Sequence, residues 1–434
     1  MLGENIRKFG FWMLDFLKGG EIRSHYKDIK SVMEDNNSKG QSSNKYLSRL
    51  LNHAANTTEY YSEYKEYEDI KDFPIVDKNI IKENRKSIIS NEYVDKKLHS
   101  MSTSGSTGTP FSIEQDLNKR KRVLAEVIYF GEICGYELGD KNTFLRVWTD
   151  QNKKSKFGAW KQNLVMIDIS NLDKENLENV RKRLKGKDKI KCIIGYATSL
   201  DILAKYLIEN GDSPEMFSVE TVISGAEILT ETTRDNLKKV FGANIVSRYS
   251  NQENGILAQE LVNSKFFIIN NASYYIEFLK LDSDEEAEIG ELARIVVTDL
   301  FNFAMPVIRY DTGDLAVVEN HYRYGKVISE IKGRERDFIY STDGELVSPS
   351  AVTVNMWKFS EIKQYQLIQN NKKDYLLKLN GAKGIYDDKE IINVYKSFLG
   401  EDALIKIDHI EGIPLLSSGK FQTTICNYDP ANFE

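Results

Sequence analysis

Strand-like and helical runs alternate through the middle of this chain, and that rhythm limits the fold more than any other feature. The apolar, β-branched stretches at 190–194 and 219–223 are separated by helical segments at 200–208 and 232–240. Such a succession predicts βαβ units and a mostly parallel sheet, because each helical crossover brings the next strand back in the same direction. The alternation extends from about residue 95 to residue 300. Before it, residues 1–90 read as a helical preface in which Tyr46, Leu47, Leu50 and Leu51 share one face through i, i+3, i+4 spacing. After it, runs at 293–297, 315–318 and 327–331, punctuated by Gly313, Asn320 and Gly325, predict a β-rich part. Beyond 336, a hairpin over 364–379, a helix at 389–399 and a strand at 404–407 predict a small α+β unit. With 434 residues there is room for both. The expected class is therefore α/β. A large N-terminal domain, residues 1–335, carries mixed and mostly parallel sheets flanked by helices, and a small α+β domain covers 336–434.

Charge and cysteine usage exclude several functions. Lys and Arg number 59 against 65 Asp and Glu, a net charge of −6, and the basic residues are spread along the chain. No footprint for a nucleic-acid backbone is present, so no nucleic-acid partner is expected. Cys134, Cys192 and Cys426 lie far apart, which supports neither a disulfide framework nor a zinc site and predicts a cytoplasmic protein. The early apolar run 9–17 is interrupted by Asp15 and is too short to span a bilayer that needs about 20 apolar residues, so no integral membrane contact is expected. Its pattern is that of an amphipathic helix, expected to pack on its own domain, with a membrane surface or a partner as the alternative.

The most informative segment is Met101-Ser-Thr-Ser-Gly-Ser-Thr-Gly-Thr-Pro110, with six hydroxyl residues and two glycines in ten positions. Gly105 and Gly108 allow positive φ, so that successive N–H groups can converge on an anion, while Thr103, Ser104, Ser106, Thr107 and Thr109 add hydroxyl donors. A phosphate is the anion such a cradle suits. No lysine follows Gly108, which argues against a Walker A loop. A plain surface linker of Ser, Thr and Gly is the competing reading.

Further along the chain the same segment acquires company. It resembles the phosphate loop of the adenylate-forming superfamily, which includes acyl-CoA synthetases, peptide-synthetase adenylation domains and luciferases. Arg248-Tyr-Ser-Asn-Gln-Glu253 is similar to that superfamily's Tyr-Gly-x-Thr-Glu motif, and Arg309-Tyr-Asp-Thr-Gly-Asp314 to its Tyr-Arg-Thr-Gly-Asp motif. Gly333-Arg334 resembles the start of its hinge motif, and the segment 414–420 ends in the expected Gly-Lys. Leu50-Leu51-Asn52-His53-Ala54, Tyr60-Tyr61 and Asp72-Phe73-Pro74-Ile75 look like the phenylacetate–CoA ligase branch and its relatives in capsular polysaccharide gene clusters. The resemblance spans nearly the whole chain and implies an acyl-CoA synthetase-like fold.

It also implies the chemistry. A carboxylate attacks the α-phosphate of ATP while pyrophosphate leaves, so catalysis is positioning plus charge stabilisation, without a covalent protein nucleophile. By resemblance, Glu253 holds Mg²⁺, Asp314 accepts from the ribose hydroxyls, and Lys420 places a point charge on the transferring phosphate. Tyr249 offers a face to adenine, Gly225, Ala226 and Glu227 border it, and Arg334 reaches the ribose or a phosphate. Ser250, Asn251 and Gln252 complete the nucleotide side, although Gln252 stands where relatives carry a hydroxyl. Arg336 in the hinge motif and Thr342-Asp343-Gly344-Glu345 near the expected CoA path also depart from the family pattern. Trp148, Tyr196, Thr198 and Ser199 are the acyl-pocket candidates, each with a core role as its rival. The implied function is ATP- and Mg²⁺-dependent activation of a carboxylic acid, then transfer to a thiol, with CoA as co-substrate. An amide-forming ligase acting on an amine acceptor in surface polysaccharide biosynthesis is the alternative, and a non-catalytic nucleotide-binding homologue is a second. Monomer and homodimer both stay open.

Overall fold

In the computed structural model, the described residues are 2–34, 41–103, 111–146, 148, 153–169, 172, 174–226, 229–332, 339–347, 349–356, 358–359, 361–362, 364–381, 384–413 and 424–428. The chain forms two compact units. One gathers Met1–Ser102, Ser112–Asp140 and Asn244–Gly333, the other Thr103–Phe111, Lys141–Ala243 and Arg334–Glu434.

In the first unit, seven strands lie side by side in the order Tyr274–Leu279, Leu292–Asp299, Tyr310–His321, Gly325–Lys332, Phe267–Ile269, Gly255–Glu260 and Asn244–Asn251. Every neighbouring pair is antiparallel. The mostly parallel arrangement expected as far as residue 300 therefore stops before Asn244. The reason is connection length: only Gln252–Asn254 separate Asn251 from Gly255, far too few for the crossover a parallel pair requires. The inner face of this sheet buries Leu257, Phe267, Tyr274, Phe278, Ile295 and Val297.

Among the described residues, four long helices belong to this unit, Leu2–Leu17, Glu21–Glu34, Gln41–Thr57 and Leu117–Glu132. In Gln41–Thr57, Leu47, Leu50, Leu51 and Ala54 are buried at helical spacing, as the periodicity predicts. The helix Glu21–Glu34 packs Ile29 and Val32 against Ala125, Tyr129 and Phe130 of the helix Leu117–Glu132. Asp116 caps that last helix, accepting from Lys119 N at 2.7 Å and from Phe303 N at 3.1 Å. One face of the helix carries charge into the core. Lys119 Nζ lies 2.8 Å from Asp299 and 3.0 Å from the Tyr274 hydroxyl, which sits 3.1 Å from Glu126 Oε1 and 2.9 Å from the Asn254 carbonyl.

The second unit holds the parallel strands predicted from the rhythm. Their order is Thr221–Gly225, Cys192–Tyr196, Asn142–Arg146 and Leu164–Asp168, in a register that brings all four carboxyl ends to one edge. The helices Lys174–Lys185, Ala197–Glu209 and Glu231–Phe241 cross between or follow them. Gly195 lets one helix come close, since a Cβ there would stand 3.2 Å from Leu200. The same unit contains a four-stranded sheet ordered Leu404–His409, Asp374–Asn380, Gln364–Gln369, Thr424–Cys426, with the helices Pro349–Met356 and Asp388–Leu399. Its core, including Ile339, Val352, Phe359, Leu377 and Tyr395, comes entirely from residues after 338. The hairpin, helix and strand read from the sequence are all present; the strand Thr424–Cys426, which pairs in parallel with Gln364–Gln369, is an addition. Among the described residues, no helix is long and apolar enough to cross a membrane.

Candidate active site

The Tyr249–Glu253 segment leaves its strand through a β-bulge between Tyr249 and Ser250, a device that re-aims side chains next to functional sites. Asn251 Oδ1 accepts from Asn254 N at 2.9 Å and closes the turn, while Ser250 and Gln252 are exposed. Glu253 is directed inward and is buried. Its Oε1 accepts from the Tyr310 hydroxyl at 3.0 Å and lies 3.3 Å from Lys78 Nζ, and its carbonyl accepts from Gln115 Nε2 at 2.9 Å. The turn is anchored by Gly255 at φ 139°, where a Cβ would stand 2.6 Å from the Tyr274 hydroxyl and 2.7 Å from Glu126. Only glycine fits both the backbone and the space.

The second motif differs from its sequence reading. Gly313 punctuates the β-rich part in the sequence, but Tyr310–His321 is one strand, and the irregularity is a bulge inside it. Arg294 pairs with Leu315 and Val296 with Asp311, so residues 312–314 stand opposite Ile295 alone. Gly313 adopts φ 74° there, and Thr312 Oγ1 donates to the Ile295 carbonyl at 2.9 Å. Asp314 Oδ2 accepts from the Tyr249 hydroxyl at 2.9 Å. Burial first, and the Asp314 and Glu253 charges with it, hold that phenol protonated far above its ordinary range. Tyr249 is thus tied to the very carboxylate expected at the ribose.

The N-terminal segment that suggested the phenylacetate–CoA ligase branch supports this strand. Val76 N donates to the Arg309 carbonyl at 3.0 Å and Asp311 N to the Val76 carbonyl at 2.9 Å, a short parallel bridge. The Arg309 guanidinium donates to the Phe73 carbonyl at 3.0 Å and pairs with Glu277 at 3.1 Å. Phe73 itself is buried among Tyr61, Tyr64 and Tyr67.

In the second unit, the carboxyl edge of the parallel strands carries the remaining candidates, the place where open α/β sheets bind ligands. Tyr196 precedes the helix Ala197–Glu209, which contains Thr198 and Ser199, and Gly225 ends its strand with Ala226 at φ 64° beyond it. Trp148 donates from N to Asp168 Oδ2 and from Nε1 to the Ile167 carbonyl, both at 3.1 Å. Among the described residues, Ser199 Oγ and Ser224 Oγ are buried without a hydrogen-bond partner, and so is Nε of Arg146, whose guanidinium lies 5.1 Å and 5.4 Å from the rings of Phe144 and Trp148. Thr103 ends the strand His99–Thr103; Ser104, Gly105, Ser106, Thr107, Gly108, Thr109, Glu227, Arg334 and Lys420 lie outside the described residues, as does the Thr198 side chain.

Residues 339–427 match the family described as the CapK C-terminal domain. Over 436 aligned positions the sequence is 24% identical to Protein CapK of Staphylococcus aureus, covering 95% of this chain and 94% of that protein. It is 25% identical over 324 positions to phenylacetate-coenzyme A ligase of Pseudomonas putida, covering 71% of each. The chain is a homologue of CapK and of the phenylacetate-coenzyme A ligases. Its fold is that of the acyl-CoA synthetase-like ligases. The crystal structure of 2-hydroxyisobutyryl-CoA ligase with 2-HIB-AMP and CoA aligns with a TM-score of 0.58 at 16% identity, covering 92% of both chains.

Lys78, Gln115, Tyr310 and Arg146 were not singled out from the sequence. Tyr310 sat unremarked within the quoted motif. Lys78 and Gln115 follow quoted segments by three and five residues, and that adjacency was the only signal available.

Proposed function

We propose that this protein uses ATP and Mg²⁺ to activate a carboxylic acid as an acyl-adenylate and then transfers the acyl group to a thiol, with CoA as the acceptor. The observation that carries the reading is the buried Glu253 held by Tyr310 and Gln115, next to a Tyr249–Asp314 pair, at the two motif positions of a homologue of acid–CoA ligases.

In the first step a substrate carboxylate oxygen bonds to the α-phosphorus as the bond to the bridging oxygen breaks and pyrophosphate departs. The residues then have the following work. Asp314 accepts from ribose hydroxyls, and its hold on Tyr249 fixes the aromatic face offered to adenine. The hydroxyl and N–H donors of 103–109 receive phosphate oxygens, Arg334 adds a cation, and Lys420 meets the charge that develops on the α-phosphate. Glu253 fits a hard divalent cation: it is one buried carboxylate whose Oε1 is engaged by Tyr310 and Lys78, and it would be the residue to hold Mg²⁺. Mg²⁺ supplies charge neutralisation on the phosphates. Trp148, Tyr196, Thr198 and Ser199 line the acyl side, and the small domain 336–434 turns about 335–337 to admit the acceptor.

Carboxylate-dependent exchange of pyrophosphate into ATP across a panel of aryl, alkyl and polar acids tests the first half. If none of the acids supports exchange while ATP still binds, the protein is a nucleotide-binding homologue without catalysis. The resemblance to proteins of capsular polysaccharide clusters leads to a second proposed acceptor, an amine on a sugar. Acceptor-dependent AMP release with CoA against amino sugars separates the two.

Asp314→Ala is expected to weaken ATP binding by about 10- to 100-fold, the value of a hydrogen bond to a charged group. Tyr249→Phe, which removes only the donor to Asp314, serves as the control. Unchanged ATP affinity in Asp314→Ala, read by calorimetry, would remove Asp314 from the ribose.

A further inference from the structure

The helix Leu2–Leu17 turns its apolar seam away from the protein. Ile6, Phe9, Met13, Phe16 and Leu17 recur at i, i+3, i+4 spacing on one side, and Phe9, Phe16 and Leu17 are 69%, 75% and 71% exposed. The opposite side makes the internal contacts. Trp12 stands 5.8 Å from Tyr26, and Asp15 is buried, accepting from Ile22 N at 3.1 Å and Arg23 N at 2.9 Å. The expectation that this helix packs on its own domain thus holds only for the flank that carries Trp12 and Asp15. A contiguous ridge of large apolar side chains in water calls for a covering surface.

Charge identifies the cover. The whole chain is net −6, yet residues 2–34 hold six basic side chains against five acidic ones. Of those acids, Asp15 faces inward, Asp28 is paired with Arg122 at 2.6 Å and Glu21 with Lys121 at 2.6 Å. The basic side chains border the ridge: a groove beside it is lined by Lys8, Phe9, Trp12, Met13, Phe16 and Arg23, and the Arg23 guanidinium lies over the Trp12 ring at 5.7 Å. Lys27 extends the same rim, with Glu132 and Glu137 on its far side, Glu132 accepting from the Tyr26 hydroxyl and Glu137 paired to Lys8 at 2.9 Å. An aromatic-rich apolar face with cations at its margin suits a helix lying in the plane of an anionic bilayer, apolar side chains at the acyl boundary and Lys and Arg among the headgroups. A second copy docked through this face would instead bring the same cations toward each other.

We propose that Leu2–Leu17 is a peripheral docking helix that places this protein on anionic lipid surfaces. Full-length protein should float with vesicles of 70% phosphatidylcholine and 30% phosphatidylglycerol at low salt, bind pure phosphatidylcholine weakly, and be released as salt screens the headgroups. The double variant Phe9→Ser, Phe16→Ser should lower partitioning by about tenfold or more, since each phenylalanine contributes about 1.5–3 kcal/mol when buried. Arg23→Gln with Lys27→Gln should remove the preference for anionic vesicles. Both phenylalanines are exposed, so an unchanged thermal transition checks that the variants stay folded. Absence of binding to anionic vesicles would overturn the proposal, as would binding that the serine variant leaves intact. A dimer in sedimentation that the serine variant dissolves would overturn it as well, by assigning the ridge to a second copy.

Discussion

Lys420→Ala is expected to slow carboxylate-dependent pyrophosphate exchange by about 10²- to 10³-fold while leaving ATP affinity nearly unchanged. The magnitude is that of removing one preorganised charge partner from a developing oxyanion, about 2.7–4 kcal/mol. The asymmetry between rate and affinity follows from where the charge acts. In the proposed site, ground-state ATP would be held by the donors of 103–109, by Asp314 and by a metal at Glu253, whereas an ammonium directed at the α-phosphate would gain most when the fifth oxygen approaches. Lys420→Arg should remain impaired, because a planar fork does not replace a compact point charge. Acyl transfer from added acyl-adenylate, in which the α-phosphate is a leaving group already made, should be spared relative to exchange. If exchange proceeds at the wild-type rate, Lys420 has no part in the chemistry.

The second large effect is on stability. Lys119→Met should cost about 3–5 kcal/mol, because it leaves Asp299 and Glu126 in the core without the ammonium that balances them. Burial already pushes both carboxyls up, and Lys119 is the first influence pulling each back down. In the variant that restraint is gone, so the folded-state values of both acids rise further above their unfolded values. An acid shifted in that direction binds protons on folding, and its penalty grows as pH climbs above the unfolded pKa, near 4. The difference in melting temperature between wild type and variant should therefore be larger at pH 8 than at pH 5. Equal differences at both values would show that lost packing, and not an unbalanced charge, is the cause. The effect should reach the site, since the Tyr274 hydroxyl that accepts from Lys119 also meets the Asn254 carbonyl, one residue beyond Glu253.

Much of this was legible in the sequence, and the exceptions have physical reasons. The strands Cys192–Tyr196 and Thr221–Gly225 lie within two residues of their apolar runs, because a parallel strand covered on its faces must be apolar throughout. Gly313 was read as a turn because a glycine among polar residues looks the same whether it reverses the chain or bulges a strand; only the pairing across to Ile295 tells them apart. Glu253 could be named from its motif. Its partners could not, since Gln115 and Lys78 stand more than 130 residues earlier in the chain and no periodicity links them. The first helix shows the same limit: an amphipathic pattern says that one face is apolar and is silent on what covers it.

The bulge at 312–314 places an unusual constraint on how this gene can change length. It adds two residues against the partner strand, an even number, so Tyr310, Thr312, Ala316 and Val318 remain in phase as buried positions of a single strand. Deleting or inserting one codon there would invert everything downstream, exposing Ala316 and Val318 and turning Asp314 away from Tyr249. A change of two residues in this motif keeps the phase, whereas a change of one needs a compensating bulge.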